Sequence, residues 1–151
     1  MTAQWSKAMI DDKLIIYSDG SQSSQGFNGS GLFFTNTFFS SQNAKAWNIG
    51  QECEVYDAEL FAIQQALQLA LDKIRAQNQS QIQEIWIFSD SQAALQRLQR
   101  NPNSSITTAI IGLAHALLQQ SSIQIHLHWV PDHQGIYGNE KADEAAKYGA
   151  E

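Results

Sequence analysis

Two stretches of this chain are built alike: Leu14-Ile15-Ile16-Tyr17-Ser18-Asp19-Gly20 and Ile85-Trp86-Ile87-Phe88-Ser89-Asp90-Ser91. In each, a short unbroken apolar run passes into serine, aspartate and a small residue. Such a run, bounded by turn formers, offers no polar face to water and reads as a buried central strand. Between the two lies Tyr56 to Gln77, with apolar residues at Ala58, Phe61, Ala62, Leu69, Ala70 and Ile74. That spacing suits a long amphipathic helix. Two buried strands separated by a helix confine the chain to α/β architectures.

The remaining segments fill in the order. Residues 1–12 read as a loose leader, and residues 13–151 as one domain. Ser21 to Gly29 is rich in Ser, Gln and Gly and reads as a turn. Gly31 to Thr35 and Thr37 to Ser41 read as two strands joined at Asn36, the second continuing toward Trp47. Gln92 to Gln99 is a short helix, broken by Asn101-Pro102-Asn103-Ser104. Ile106 to Gln119 is another helix, which Ser104 or Ser105 can cap. Ile123 to Val130 alternates, with Ile123, Ile125, Leu127 and Trp129 on one face and Gln124, His126 and His128 on the other. A loop over Pro131 to Tyr137 leads into a closing helix, Gly138 to Lys147. The order βββ-α-β-α-α-β-α describes a five-stranded mixed sheet: an antiparallel meander of the first three strands, then parallel strands, flanked by helices.

Composition narrows the function classes. Nine Lys and Arg face fifteen Asp and Glu, for a net charge of −6. A nucleic-acid binder usually carries a basic face, so any grip on a phosphate backbone is expected to be weak and salt-sensitive. The lone cysteine, Cys53, excludes an internal disulfide and fits a reducing compartment. No apolar stretch is long enough for a membrane span, and the first residues lack the pattern of a secretory signal. An intracellular location, cytoplasmic or nuclear, is the expectation.

Four acids stand where carboxylates need a reason to be. Asp19 and Asp90 each follow a strand, where α/β proteins place ligands. Each also has a plain reading: Asp19 as the start of a turn, Asp90 as a helix N-cap. Glu59 lies beside Ala58 and Phe61 on the apolar side of the long helix and needs a charge partner there. Asp143 lies among small residues of the last helix, and also reads as a solvated helical acid. Gathered together, the four would make a set of hard oxygen ligands for divalent metal, and the natural chemistry is metal-assisted phosphodiester cleavage. Two bound divalent ions would raise the formal charge from −6 to −2. His133, in the turn-rich Pro131-Asp132-His133-Gln134-Gly135, can move protons near neutral pH. His126 and His128 share a strand face, but no cysteine or third histidine stands where a zinc site would need it.

Several stretches together resemble type 1 ribonuclease H. They are Ile16 to Ser21, Gly29-Ser30-Gly31, Ala58 to Ile63, Phe88 to Gln92, and Trp129 to Asp143. The last is the most specific, and the likeness is nearest to ribonuclease H domains of non-LTR retrotransposon reverse transcriptases. The resemblance implies a ribonuclease H-like fold and cleavage of the RNA strand of RNA–DNA hybrids, leaving 5′-phosphate and 3′-hydroxyl ends. It implies that Asp19, Glu59, Asp90 and Asp143 ligate two Mg²⁺ ions, with Mn²⁺ able to substitute. One ion would activate the attacking water and the other stabilise the leaving oxygen. His133 would assist proton transfer or product release. Gly20, Ser21, Gln92 and Asn139 are the candidates for 2′-hydroxyl and substrate contacts. A monomer is expected, either freestanding or one domain of a reverse-transcriptase polyprotein.

The chain departs from the family pattern in three places. Glu54-Val55-Tyr56-Asp57 stands where many members have polar residues before the helix glutamate, which puts the grip on the DNA strand in doubt. Asp132 replaces a loop glycine. The basic, tryptophan-bearing protrusion of some members is absent, with only Arg97 and Arg100 in the 91–105 stretch. Two other readings share the fold: an integrase- or resolvase-type nuclease, and a noncatalytic nucleic-acid-binding or interaction module.

Overall fold

Leu14, Ile16, Ile85 and Ile87 alternate with half-buried neighbours along two strands, and all four are almost wholly removed from water. In the computed structural model, which describes residues 12–36, 41–76, 82–100, 104–119, 123–131 and 134–151, they line one face of a five-stranded sheet. The strands are β1 (Lys13–Gln22), β2 (Asn28–Asn36), β3 (Asn43–Gly50), β4 (Glu84–Ser89) and β5 (Gln124–Trp129), in the spatial order β3-β2-β1-β4-β5. β1 pairs with β2 and β2 with β3 antiparallel, while β1–β4 and β4–β5 are parallel. This is the mixed sheet that the element order predicts.

Four helices among the described residues flank it: α1 (Val55–Ala76), α2 (Gln92–Arg100), α3 (Ser105–Leu118) and α4 (Tyr137–Gly149). α1 packs on β1 and β2 and carries α2 and α3 against its own flank, while α4 packs on β2, β1 and β3. Ala58, Ala62, Leu69, Ala70 and Ile74 are buried as their helical spacing requires, and Phe61 meets Trp47 edge to face. α1 begins with half a capping box: Asp57 accepts the Glu54 N–H at 2.9 Å. Ser104 caps α3, accepting the Thr107 N–H at 3.2 Å.

Three boundaries differ from expectation. β1 does not end at Tyr17. It runs on through Asp19-Gly20-Ser21 to Gln22, because β2 continues to pair with it after β4 has stopped. The turn before β2 is correspondingly short, closed by Ser23 and Phe27, whose backbone groups bond at 2.8 Å. The third strand begins at Asn43 rather than Thr37, and residues 37–40 lie outside the described residues. The expected leader, apart from Asp12, also lies outside them.

α4 sits unusually close to the sheet, and two glycines permit it. A Cβ on Gly31 would lie 2.3 Å from the Ala146 nitrogen and 2.6 Å from the Ala142 oxygen. One on Gly29 would lie 2.2 Å from the Ala146 oxygen. Both are far inside van der Waals contact, so the sheet admits this helix only where side chains are missing.

Candidate metal centre

The pairing register of β1 and β4 brings the first two acids together. Their parallel ladder closes on the pair Ser18–Ser89, so Asp19 and Asp90 are each the next residue beyond it. By strand alternation both project from the face that also bears Tyr17 and Phe88, whose rings stack at 5.0 Å. The Ser18 hydroxyl donates to the Phe88 carbonyl at 3.3 Å across the same junction. Asp90 is not needed as a cap, since Ser91 takes that role by accepting the Ala94 N–H at 3.0 Å.

Glu59 arrives from near the start of α1, one turn in from Val55, and the helix is held onto the sheet there at two points. The Ser30 hydroxyl donates to the Ala58 carbonyl at 2.6 Å, in the interior. Gly20 lies so close to the helix that a Cβ there would be 2.7 Å from the Glu59 nitrogen. Ligand oxygens of Asp19, Glu59 and Asp90 therefore all fall within 4.8 Å of one another, although the residues come from three separate elements. Asp19 is 5% exposed, and the other two are half-buried.

Asp143 stands at the margin. Its charge is felt by Asp19, yet it is not one of the three oxygens gathered within 4.8 Å. Its Oδ2 instead lies 2.9 Å from the Lys147 ammonium, one turn along α4. Sequence reasoning missed Lys147, although the Asp–Lys spacing of four residues on a helix was the available signal. Ser30 figures in the sequence only within the Gly29-Ser30-Gly31 stretch, and its buried bond to α1 was not anticipated there.

The other expected site residues are spread more widely. Gly20 and Ser21 lie within β1 beside the acids, partly exposed, and Gln92 is exposed at the start of α2. Asn139 is 3% exposed in the first turn of α4. His133 lies outside the described residues; three residues before it, the Val130 N–H donates to the Ser89 carbonyl at 2.9 Å. The His126 and His128 rings both lie against Trp86, at 4.0 and 5.2 Å, and Glu84 approaches His126 Nε2 at 3.3 Å, but these side chains do not gather into a metal-ligand group among the described residues.

The electrostatics of the cluster are those of a cation site. Burial, first, and then the neighbouring Asp90 push the Asp19 carboxyl up to about 9. Asp143 and Glu59 add to the rise, and the Gly20 N–H, donated at 2.8 Å, opposes it. Three such groups cannot all ionise side by side without a compensating positive charge. Hard carboxylate oxygens at this spacing fit a divalent ion such as Mg²⁺.

A family model described as RNase H matches residues 11–151. The chain belongs to the RNase H family. Two solved structures share the RNase H fold with it. RNase H1 from the halophilic archaeon Halobacterium salinarum superposes with a TM-score of 0.67 at 21% identity, covering 91% of this chain and 96% of that one. The N-terminal RNase H domain of Rv2228c from Mycobacterium tuberculosis, solved as a fusion with maltose-binding protein, gives 0.62 at 20% identity, covering 91% and 96%. In the RNase H fold of this chain, the gathered acids stand at the ends of two central strands and near the start of the long helix.

Proposed function

We propose that this chain is an endoribonuclease that hydrolyses the RNA strand of RNA–DNA hybrids, leaving 5′-phosphate and 3′-hydroxyl ends. The observation that carries the reading is the convergence of Asp19, Glu59 and Asp90 within 4.8 Å from three elements. Asp143 completes the donor set from α4. A pair of Mg²⁺ ions held there, or Mn²⁺ in their place, supplies activation of water and neutralisation of the leaving oxygen.

The chain's own residues divide the remaining work. Asp19 is the buried anchor, kept in place by the Gly20 N–H. Glu59 and Asp90, half-buried, orient what binds between them. Gly20, Ser21, Gln92 and Asn139 meet the 2′-hydroxyl side of the RNA, which distinguishes it from DNA. His133 moves a proton or speeds product departure. We read residues 13–151 as one domain working inside the cell as a monomer. It is nearest in its Trp129 to Asp143 motif to the ribonuclease H domains of non-LTR retrotransposon reverse transcriptases.

The test uses an end-labelled RNA–DNA hybrid, duplex DNA and duplex RNA, each incubated with the chain and Mg²⁺ or Mn²⁺. Cleavage of RNA in the hybrid alone is the expected result. Cleavage of duplex DNA would replace this reading with a strand-transfer or resolving nuclease. Hybrid binding without cleavage would leave a noncatalytic module.

A further inference from the structure

We propose that Lys147 is a positioning residue for the metal centre: its ammonium holds the Asp143 carboxylate when no cation is there and yields it when one arrives. The lysine thereby sets the divalent concentration at which Asp143 joins the other three acids. The inference rests on the metal-centre reading above and adds a residue and a control to it.

Three observations converge. Lys147 Nζ lies 2.9 Å from Asp143 Oδ2, within direct ion-pair contact. Asp143 is the one member of the expected set outside the three acids that gather within 4.8 Å, and a lysine engages its oxygen. The Lys147 side chain is 65% exposed against 30% for Asp143, so the lysine can withdraw into water without unpacking the helix. A divalent cation and an ammonium seek the same oxygen lone pairs. The stronger charge wins, but only at a concentration that the ammonium raises. The neighbouring pair, Lys141 with Glu144 at 3.4 Å, involves a carboxylate that is 66% exposed and outside the cluster, so it cannot stand in for this one.

A lysine in the last turn of a helix also complements the helix dipole, so stability alone does not test the role. The discriminating measurement is a calorimetric titration of the full chain with Ca²⁺ and Mg²⁺, without substrate, for the wild type, K147Q, K147R and D19N. We expect K147Q to bind about two- to fivefold more tightly than wild type, the factor carried by a part-exposed ion pair. K147R should restore the wild-type curve, and D19N should remove binding. The half-saturating Mg²⁺ for hybrid cleavage should fall by the same factor in K147Q. A K147Q titration that superimposes on wild type, or is weaker, overturns the lysine's role and leaves the metal centre standing. A wild-type chain that takes up no divalent cation overturns the metal centre and the lysine's role with it.

Discussion

Asp19 holds its proton because it is buried and ringed by acids, and this has consequences that can be measured in both directions of pH. Its ordinary value of 3.8 applies to the unfolded chain, and the folded value is about 9. Below the lower value both states are protonated and the side chain costs the fold nothing. As pH rises between the two values, the unfolded chain ionises while the folded chain does not, so the stability of the cation-free protein falls across that window. D19N removes the penalty. It should melt several degrees above wild type in EDTA at pH 8, with the gap closing toward pH 4, while hybrid cleavage is lost. The same proton must leave when a cation binds. Calorimetry in buffers of different ionisation enthalpy should therefore show proton release on Mg²⁺ uptake near neutral pH, and affinity that climbs as pH approaches 9. Equal heats in all buffers would contradict the protonated carboxyl. At this scale the sequence spoke unevenly. Asp19 and Asp90 are conspicuous because each interrupts an apolar run, and Glu59 because it sits on an apolar face. The diversion of Asp143 to Lys147 is a choice between partners, which no spacing decides.

Elements are governed here by close approach. α4 can press on β2 only because Gly31 and Gly29 present bare backbone to it. Gly31→Ala should destabilise the fold by about 3 kcal/mol in urea unfolding, toward the upper range for overpacking, since backbone rather than a side-chain tip must give way. Gly112 in α3 is the contrasting case, with nothing within 4 Å of a Cβ built there. Gly112→Ala should stabilise by about 0.5–1 kcal/mol, the helix-propensity gain alone. The helices were readable to within a residue or two, since each has a buried stripe or a clear cap. The strands were less so. β1 was cut short because its last residues, Gly20-Ser21-Gln22, are polar and hold their place through backbone pairing with β2. β3 is an edge strand, exposed over Asn43 to Lys45, so the burial alternation that announces a strand is missing.

The whole molecule carries a net charge of −6, and three of its acids crowd within 4.8 Å at the proposed site. Among the described residues no helix is long and apolar enough to cross a membrane. Hybrid binding should be weak in EDTA, stronger in Ca²⁺, and should loosen steeply as KCl is raised from about 50 to about 200 mM. Fluorescence anisotropy with a labelled hybrid measures all three, and tight binding in EDTA would show that basic groups, not cations, supply the grip. The distance between Asp19 and Asp90 is set by neither loop nor helix but by the ladder that ends at Ser18 and Ser89. Slipping β4 by two residues would preserve every inward-facing side chain, yet carry one carboxylate about 6.6 Å past the other. Loop insertions, nicks or a circular permutation that spare the ladder should therefore leave the Asp19–Asp90 gauge untouched, so rearrangement at the loops is the one change this seam can ignore.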